Sequence, residues 1–442
     1  MKILLVASGA REHAIADALS RSPQKPELIS VCTTKNPGLK RLSAELHVGS
    51  LLDFPWVMDI TKKAKPDLAI VGPDDPIGGG LADLLEAAGI PTVAPKKSLA
   101  RIESSKSFAR DLLQKFIPDS VPKYRVFTSY EPKELNKYIA QELQGNYVVK
   151  YDALRGGKGV KVSGEHLATI EEGMQYAREC IDEGGRVVIE EKLIGVEFSL
   201  LSFVSGTQVI DMPAIQDHKR AYAGDTGPNT GGMGTYTDAN HSLPFLAASD
   251  LARAKEINRL TAQALLKECG EPYRGILYGG FIAVKDGIRV IEYNARFGDP
   301  EALNVLPLLS SDLVSICQAI TQGTLTEDLV QFEHKATVCK YLTPESYPVS
   351  KDQKGAVVSF PPVPKNARLF FGDIAEDEQG ILHVGGSRTA GIVGVGTDLA
   401  EAEKIAEEFC RQVKGPVRHR ADIGTASLIH QRIALMQTIR PR

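Results

Sequence analysis

Residues 2–21 read KILLVASGAREHAIADALSR, and this stretch decides the fold. Its first six residues, Lys2–Ala7, form an apolar run of strand length, and Glu12–Arg21 has the pattern of a helix. The tight turn between them contains Gly9. A buried strand that passes through a glycine turn into a helix is typical of a parallel α/β sheet. The turn is also a place where helix N-terminal amides can bind a phosphate, although a turn without a ligand explains it equally well.

The same alternation continues through residues 1–100, which we predict to be an N-terminal α/β domain. The further elements predicted there are strands at Leu28–Val31 and Asp67–Val71 and a helix at Gly80–Ala88. The connecting segment, residues 101–123, contains an amphipathic helix at Ser104–Phe116, with Ser104 or Ser105 as its N-cap.

The remainder of the chain has a mixed α+β pattern, so the fold class is α/β and α+β in several domains. We predict a small mobile lobe at 124–192, a central domain at 193–325 and a small C-terminal domain at 326–442. The Asp286–Gly287 turn is a strong hairpin signal in the central domain. Predicted strands are Arg125–Phe127, Tyr147–Tyr151, Val160–Val162, Arg186–Glu191, Ile276–Val284, Ile288–Tyr293 and three more near Ala336–Tyr341, Gly355–Ser359 and Ile381–Val384. Predicted helices are Pro132–Leu143, Glu165–Ile181, about Ala248–Cys269 and Leu399–Val413.

Composition excludes several function classes. The 442 residues are 43% apolar and 24% charged, with a net charge of −3, so neither nucleic acid nor an anionic membrane is indicated as a partner. No apolar run reaches the ~18 residues of a membrane helix, and Arg11 interrupts the first run before signal-peptide length. The six cysteines are scattered without a C-x-x-C pair, which favours reduced thiols in the cytoplasm and no zinc site.

A nicotinamide cofactor is disfavoured by the first turn. A dinucleotide fold needs G-x-G-x-x-G and an acidic residue at the end of the second strand. Arg11 stands where the second glycine belongs, and Cys32–Thr34 occupies the place of the acid.

A glycine-rich loop points to nucleotide phosphates instead. Arg155-Gly156-Gly157-Lys158-Gly159 follows Lys150, and three glycines around a lysine allow amides and an ammonium to cover polyphosphate. The loop is not a Walker A motif, because neither Ser nor Thr follows the lysine. A flexible hairpin would explain the glycines but not the two lysines.

Two further segments carry weaker signals. Glu190-Glu191-Lys192-Leu193 ends a strand, and together with Glu197 it could present backbone to adenine and a carboxylate to ribose, although most charge pairs at strand ends are simply solvated. Residues 216–237 form a polar, glycine-rich segment between apolar strands. Irregular loops longer than ~15 residues are usually functional or disordered, and the flanking strands favour function.

The end of one strand supplies candidate metal ligands. Glu292 and Asn294 share a strand face, and two oxygen ligands suit Mg²⁺. Arg296 follows, placed to bind a carboxylate or a phosphate. Asp299, before Pro300, is equally well explained as a helix N-cap and as a ligand.

Other polar residues receive plainer interpretations. Asp74 and Asp75 follow a predicted strand, at the sheet edge where ligands collect. His13 and His218 are expected to form hydrogen bonds, since no second histidine has ligand spacing. The basic C-terminal residues are expected to form a solvated face; they are Arg411, Arg418 and Arg420.

Seven motifs occur in a characteristic order: GAREHA (9–14), VGP (71–73), SKSFAR (105–110), GGKGV (156–160), DHKR (217–220), GPNTGGMG (227–234) and NARFGDPE (294–301). This order resembles the glycinamide ribonucleotide synthetase (phosphoribosylamine–glycine ligase) family of the ATP-grasp superfamily over essentially the whole chain. The resemblance implies an ATP-grasp fold behind an N-terminal pre-ATP-grasp domain. It also implies that ATP is clamped between the mobile lobe and the central domain, with Mg²⁺ or Mn²⁺.

Carried over residue by residue, the resemblance implies the following roles. ATP would be bound by Lys106, Lys150, Gly156, Gly157, Lys158, Gly159, Glu190, Glu191, Leu193 and Glu197. The metal would be held by Glu292 and Asn294, and catalysis would use Arg296, Asp299 and Lys158. The substrates would be met by Gly9, Arg11, Glu12, His13, Asp74, Asp217, His218, Lys219, Asp225, Asn229, Gly231, Arg296, Asp299, Pro300 and Glu301.

The activity implied by the resemblance is ligation of glycine to 5-phosphoribosylamine through a glycyl phosphate, the second step of de novo purine biosynthesis. The small-molecule substrates would be the only partners of a cytoplasmic monomer or weak homodimer. Another ATP-grasp carboxylate–amine ligase is the alternative, and only the 217–234 segment argues against it. A silent nucleotide-binding module is disfavoured by the intact set of Glu292, Asn294 and Arg296.

Overall fold

The structure is a computed structural model that describes residues 1–154 and 159–441. Its N-terminal strands are β1 (Lys2–Ala7), β2 (Glu27–Cys32), β3 (Glu45–Val48), β4 (Leu68–Val71) and β5 (Thr92–Val93). They form one parallel sheet in the order β3-β2-β1-β4-β5, which confirms the predicted sheet. Ile3–Ala7 are buried because helices cover both faces of this sheet.

Seven helices lie in or next to the N-terminal part. They are α1 (Ala10–Ser20), α2 (Pro37–Leu42), α3 (Phe54–Ala64), α4 (Asp74–Gly79), α5 (Leu81–Ala87), α6 (Lys97–Ser104) and α7 (Lys106–Phe116). The sequence prediction missed α2, α3, α4 and α6 and began α1 two residues late. Ser105 is the N-cap of α7, as predicted: its side chain accepts a hydrogen bond from the Phe108 N–H at 3.2 Å.

A small lobe with its own apolar core follows a single 3₁₀ turn at Pro118–Ser120. Its antiparallel strands are β6 (Tyr124–Phe127), β7 (Tyr147–Tyr151), β8 (Val160–Val162) and β9 (Val187–Glu191), in the order β6-β9-β7-β8. Its helices are α8 (Pro132–Asn136), continued as a π-helix over Lys137–Glu142, and α9 (Ile170–Gly184). The helix predicted from Glu165 begins only at Ile170, because Thr169 caps it.

The central sheet is antiparallel. Its strands are β10 (Val196–Ser205), β11 (Gln208–Asp211), β16 (Arg274–Val284) and β17 (Gly287–Asn294), in the order β11-β10-β16-β17. The hairpin predicted at Asp286–Gly287 is therefore confirmed. Three helices pack nearby: α10 (Ala248–Cys269), which has the predicted bounds, α11 (Glu301–Leu308) and α12 (Leu313–Gln322).

The polar segment 216–237 is ordered as short strands, so the expectation of an irregular loop is wrong. Its strands are β12 (Gln216–Asp217), β13 (Arg220–Tyr222), β14 (Thr226–Asn229) and β15 (Gly234–Thr237). β13 and β14 pair as a hairpin with an irregular register, and β12 pairs with β15. The residues of these strands are mostly polar or glycine, so the sequence lacks the apolar alternation that predicts a strand. The strands pair through their backbones and bury few apolar side chains.

The C-terminal part continues that sheet. Its strands are β18 (Ala336–Pro344), β19 (Val357–Val358), β20 (Ala367–Phe371), β21 (Ile374–Glu376), β22 (Leu382–Val384), β23 (Ala390–Gly396) and β24 (Val417–Arg418). One sheet has the order β12-β15-β18-β23-β20, with β24 paired to β18, and a second has the order β19-β22-β21. Its helices are α13 (Leu399–Cys410) and α14 (Ala426–Ile439), after a 3₁₀ turn at Glu327–Leu329.

The multidomain α/β and α+β fold class predicted from the sequence is confirmed, whereas the domain boundaries stay a prediction. β15 pairs directly with β18, so one sheet crosses the boundary proposed at residue 325. In the part of the chain that the structure describes, no helix is long and apolar enough to span a membrane.

Candidate active site

The candidate site lies where the lobe meets the end of β17. Glu292 and Asn294 lie near the end of this strand, two residues apart. Lys219, from the segment between β12 and β13, brings its Nζ to 3.4 Å from Glu292 Oε1. The Lys219 ammonium lowers the pKa of Glu292 to about 2, and the charges of Lys106 and Lys150 act in the same direction. Burial alone would raise this pKa. Glu292 in turn raises the pKa of Lys219. An ionised carboxylate therefore lies among three cations.

A buried ion cluster joins the lobe to this strand. Arg110 of α7 donates to Glu190 of β9 from Nε at 2.6 Å and from Nη2 at 3.0 Å. Lys150 Nζ of β7 lies 2.7 Å from Glu190 Oε2. Arg110 Nη2 and Lys150 Nζ both also donate to the Ile291 carbonyl of β17, at 2.7 and 3.0 Å. Burial opposes ionisation of Glu190, but Arg110 and Lys150 outweigh it and lower its pKa. The carboxylate of Glu190 thus binds two side chains of the protein, Arg110 and Lys150.

A second charged cluster surrounds Arg296. Its Nη2 donates to Asn294 Oδ1 at 3.1 Å and lies 3.1 Å from Glu103 Oε1. Glu103 also accepts from the Ala295 N–H at 2.7 Å, so α6 fixes the chain just after β17. Arg296 Nε is buried and has no partner among the described residues. Asp74 resists ionisation through burial, yet Arg296 and Arg11 outweigh this and lower its pKa. The charge of Arg296 thus acts on Asp74, and the substrate role of Asp74 stays a prediction.

Asp299 is held from the C-terminal part of the chain. Tyr341 Oη donates to Asp299 Oδ1 at 2.7 Å, and Arg388 Nη2 donates to Oδ2 at 3.0 Å. Helix α11 begins at Glu301, its N-cap is Pro300, and no side chain caps it. The capping interpretation of Asp299 is therefore wrong, because its two carboxylate oxygens accept from Tyr341 and Arg388 and not from the first amides of the helix.

Two more carboxylates are buried beside this group. Glu301 accepts from Tyr278 Oη at 2.8 Å and from Ser199 Oγ at 3.3 Å. Asp217 accepts from the His218 N–H at 2.7 Å. Burial, reinforced by the Glu301 charge, raises the pKa of Asp217 well above its ordinary value, although Lys219 and Arg388 oppose the shift. The site therefore combines an ionised carboxylate, Glu292, with a carboxyl group that resists ionisation.

The backbone amides of the first turn, at Ser8 and Gly9, are bound by the side chain of Glu12. Glu12 Oε2 accepts from the Gly9 N–H at 2.8 Å and from the Ser8 N–H at 3.0 Å. Arg11 pairs with Glu12 and donates to the Phe297 carbonyl at 3.3 Å, which links this turn to the segment after β17. The Gly9 amide that the phosphate interpretation relies on is therefore bonded to a carboxylate here. The resemblance's assignment of Gly9, Arg11 and Glu12 to substrate stays a prediction.

His13 forms hydrogen bonds, as expected, but with the far end of the chain. Its Nδ1 accepts from the Phe371 N–H at 2.9 Å, and its ring stacks on the Phe371 ring. Burial, with a smaller effect of Arg41, lowers the pKa of His13 to about 3. The ring is therefore neutral and ties α1 to β20.

The β13–β14 hairpin is anchored by C-terminal arginines. Arg420 Nη1 lies 2.9 Å from Asp225 Oδ1, and Arg432 pairs with Asp225 Oδ2. His218 Nδ1 lies 3.1 Å from the Gly234 carbonyl, and burial with Arg420 lowers the pKa of His218 to about 4. The expected solvated basic face is wrong for Arg420, which is 1% exposed, and for Arg418, which donates to the Ala221 carbonyl at 2.8 Å. Arg411 is exposed, as expected.

The residues present fit a divalent cation bound by oxygen. Glu292 is ionised and part-buried, and Asn294 Oδ1 uses one lone pair on Arg296, which leaves the other for a metal. Among the described residues no group of three or more His, Cys, Asp or Glu side chains could hold a metal alone. One carboxylate and one amide suit Mg²⁺, which keeps water and substrate phosphates as its other ligands. The nearby lysines favour a polyanion in the same place.

Comparisons with known proteins identify the family. The models for the phosphoribosylglycinamide synthetase N domain, ATP-grasp (A) domain and C domain match residues 1–103, 104–302 and 337–426. A phosphoribosylamine–glycine ligase from Methanococcus maripaludis is 47% identical over 440 residues, 98% of each chain. The chain belongs to the phosphoribosylglycinamide synthetase family.

Solved structures agree with this family assignment. The crystal structure of the phosphoribosylamine–glycine ligase of Thermotoga maritima matches with a TM-score of 0.79 and 29% identity, covering 96% of this chain and all of that one. The biotin carboxylase–β-γ-ATP complex from Campylobacter jejuni matches with a TM-score of 0.73 and 15% identity, covering 97% and 95%, which shows a shared fold. The ATP-grasp fold predicted from the sequence is confirmed.

The other residues that the family resemblance implied are placed as follows. Lys106 Nζ donates to the Ala153 carbonyl at 2.9 Å, at the entry to the glycine-rich loop. The Gly159 carbonyl accepts from the Tyr151 N–H at 2.8 Å. Gly156, Gly157 and Lys158 lie outside the described residues. Their roles stay predictions.

Three of the implied ATP-binding residues lie in or next to the segment that links β9 to β10. Glu191 ends β9, where its Oε1 accepts from the Lys123 N–H at 2.8 Å, and Leu193 lies in the linker to β10. Glu197 of β10 is exposed, and its charge helps to raise the pKa of Lys219. In the hairpin, Asn229 is half-buried opposite Arg220. The roles that the family resemblance implied for these residues stay predictions.

Sequence reasoning gave no role to four side chains that shape this family site: Glu103, Arg110, Tyr341 and Arg388. Arg110 lies within a quoted motif, SKSFAR, and an arginine on the buried face of an amphipathic helix was a usable signal. The other three act across long sequence separations, for example the 89 residues between Asp299 and Arg388, and leave no local pattern.

Proposed function

We propose that this chain catalyses ATP-dependent ligation of glycine to 5-phosphoribosylamine, giving glycinamide ribonucleotide, ADP and phosphate. The observation that carries the proposal is the grouping of cations at the end of β17: Lys219 Nζ lies 3.4 Å from Glu292 Oε1, Lys150 Nζ donates to the neighbouring Ile291 carbonyl, and Arg296 Nη2 donates to Asn294 Oδ1. Such a group can hold a triphosphate, a metal and a carboxylate substrate together. Relatives that cover the full length are phosphoribosylamine–glycine ligases, which favours this reaction over other ATP-grasp ligations.

The first chemical step joins glycine to phosphate. A glycine carboxylate oxygen attacks the γ-phosphorus of ATP, the bond to the bridging oxygen of ADP breaks, and ADP leaves with that electron pair. Lys106 and Lys150 neutralise charge on the phosphate oxygens, and Lys158 is proposed to join them. Arg296 is proposed to hold the glycine carboxylate, and Asp299 to receive its ammonium group. No enzyme nucleophile is required.

The second step consumes the glycyl phosphate. The amine of 5-phosphoribosylamine attacks the carbonyl carbon, phosphate leaves with its bridging oxygen, and the amine loses one proton. Asp217, Lys219 and Asn229, together with the first turn around Gly9, are proposed to hold this substrate. Because Asp217 resists ionisation, it can donate a hydrogen bond to a substrate oxygen. An acyl phosphate must be kept from water, and the glycine-rich loop of the lobe is proposed to serve this purpose.

Glu292 and Asn294 are proposed to hold the divalent cation, Mg²⁺ or Mn²⁺. Its chemistry there is neutralisation of charge on the phosphoryl oxygens. The partners proposed are small molecules only, for a cytoplasmic monomer or weak homodimer.

The test is ADP release with ATP, Mg²⁺, glycine and 5-phosphoribosylamine, with glycine and the amine each omitted in turn. The proposal expects full turnover only with both. ADP release that does not respond to glycine, or that is supported equally by another amine, would refute it in favour of a different ATP-grasp activity.

A further inference from the structure

One arginine of the C-terminal part reaches into the site from outside the ATP-grasp domain. Arg388 lies between β22 and β23, and its side chain is 15% exposed. Its own backbone is fixed, because its carbonyl accepts from the Asp373 N–H at 2.8 Å. The guanidinium packs over the ring of Tyr341, 4.6 Å from the ring centre. The arginine is therefore anchored at both ends.

Its donors bind two segments that are distant in sequence. Nη1 donates to the carbonyl oxygens of Gly231, Gly232 and Asp299, at 2.7, 3.1 and 2.9 Å. Nη2 donates to Asp299 Oδ2 at 3.0 Å. One planar group thus fixes the GPNTGGMG segment against the NARFGDPE segment. Lysine, with a single nitrogen, does not span these acceptors.

The glycines of the first segment make room for this contact. A Cβ at Gly231 would lie 2.9 Å from Arg388 Nη2, and one at Gly232 would lie 2.7 Å from Asp217 Oδ1. Gly232 also has a φ of +112°, which favours glycine. The backbone is therefore pressed between the Arg388 guanidinium and the Asp217 carboxyl group.

We propose that Arg388 is a positioning residue: it sets the place of the Asp299 carboxylate and of the 231–232 backbone, and so controls the affinity for glycine. The inference rests on the proposed function, in which Asp299 receives the glycine ammonium group. Tyr341 Oη holds the other oxygen of Asp299, so the two residues fix the plane of the carboxylate. Each oxygen retains a lone pair for the substrate.

The experiment compares Arg388→Met and Arg388→Lys with the wild-type chain in steady-state ADP release. Loss of charge-assisted hydrogen bonds to Asp299 in Arg388→Met is expected to raise the KM for glycine by about 10- to 100-fold. The KM for ATP is expected to stay within about twofold, because Arg388 contacts neither Lys106 nor Lys150, while Arg388→Lys recovers part of the glycine affinity.

Arg368→Met is the matched control, since Arg368 of the same part donates to the nearby carbonyls of Lys365 and Ala367, at 2.9 and 2.7 Å, and its charge acts on Asp17 of α1. It should leave both KM values unchanged. Equal rises in the two KM values in a folded Arg388→Met variant, or an unchanged KM for glycine, would overturn the proposal.

If Arg388→Met has lost its thermal unfolding transition, Arg388→Lys decides: an unchanged KM for glycine in that variant overturns the proposal and a selective rise supports it. A wild-type chain without glycine-dependent ADP release would refute the proposed function itself. A normal wild type with a normal Arg388→Met refutes only the role of Arg388.

Discussion

The ion cluster of Glu190 gives the sharpest energetic prediction. The side chains of Glu190, Arg110 and Lys150 are 4%, 3% and 8% exposed. Glu190→Gln keeps the shape but removes the charge that faces two cations, and it replaces one acceptor oxygen by a donor. Breaking a buried ion pair in this way costs about 3–5 kcal/mol, because an uncompensated buried charge remains.

That energy should appear in the opening of the lobe. At ~1.4 kcal/mol for each tenfold change, hydrogen exchange of the protected amides of β7 and β9 should be about 10²- to 4 × 10³-fold faster in Glu190→Gln. Mass spectrometry of peptides that cover 147–151 and 187–191 measures this rate.

The matched control is Glu134→Gln in the same lobe. Glu134 faces Arg125 at 3.8 Å and is 52% exposed, so its loss should change exchange by less than about fivefold. Equal exchange in Glu190→Gln and the wild type would refute the reasoning. It would mean that Arg110 and Lys150 find other partners, and that Glu190 is free to bind nucleotide as the family resemblance implied.

Two further predictions concern the site and its pH dependence. Glu292→Gln should reduce the rate of ADP release by about 10²- to 10³-fold. The control Asp286→Asn, a change in the turn of the same hairpin, should leave that rate unchanged. Near-normal ADP release by Glu292→Gln would show that Glu292 is not a metal ligand. Because burial lowers the pKa of His13 from 6.5 to about 3, the His13 ring is protonated at a higher pH in the unfolded chain than in the folded chain. The contribution of His13 to the free energy of unfolding should therefore decrease by about 2 kcal/mol between pH 6.5 and pH 5. In a His13→Asn variant the amide oxygen can still accept from the Phe371 N–H, and thermal stability should decrease less steeply over the same pH range. Identical pH profiles of the variant and the wild type would contradict this prediction.

Local patterns predicted much of the fold. The apolar run Lys2–Ala7 and the turn at Gly9 specify a strand and a helix start through neighbouring residues alone. The Asp286–Gly287 turn likewise specifies its hairpin, because Gly287 adopts a φ of +127° that favours glycine. Signals within about ten residues therefore located these elements, although the local helices α2, α3, α4 and α6 were missed.

The sequence failed where the decisive contact is long-range. The β13–β14 hairpin has no apolar alternation, since Arg420 and Arg432 stabilise it through Asp225 from about 200 positions away. In the same way, the residues near His13 in the sequence give no signal that the Phe371 N–H donates to its ring. Charged residues at the C-terminus look solvated until the fold brings their partners to them.

The candidate site was predictable in part for the same reason. Glu292 and Asn294 share a strand face by simple alternation, and the resemblance supplied Lys106 and Lys150. The pairing of Glu190 with Arg110 required the lobe to be folded onto α7, which no local pattern encodes.

The central claim is that glycine is activated by a direct attack of its carboxylate on ATP. It is tested most directly with glycine labelled with ¹⁸O in both carboxylate oxygens, followed by mass analysis of the inorganic phosphate. The account predicts one labelled oxygen in each phosphate released during ligation, because the bridging oxygen of the acyl phosphate comes from glycine. Phosphate without label, formed while the amide product accumulates, would contradict it.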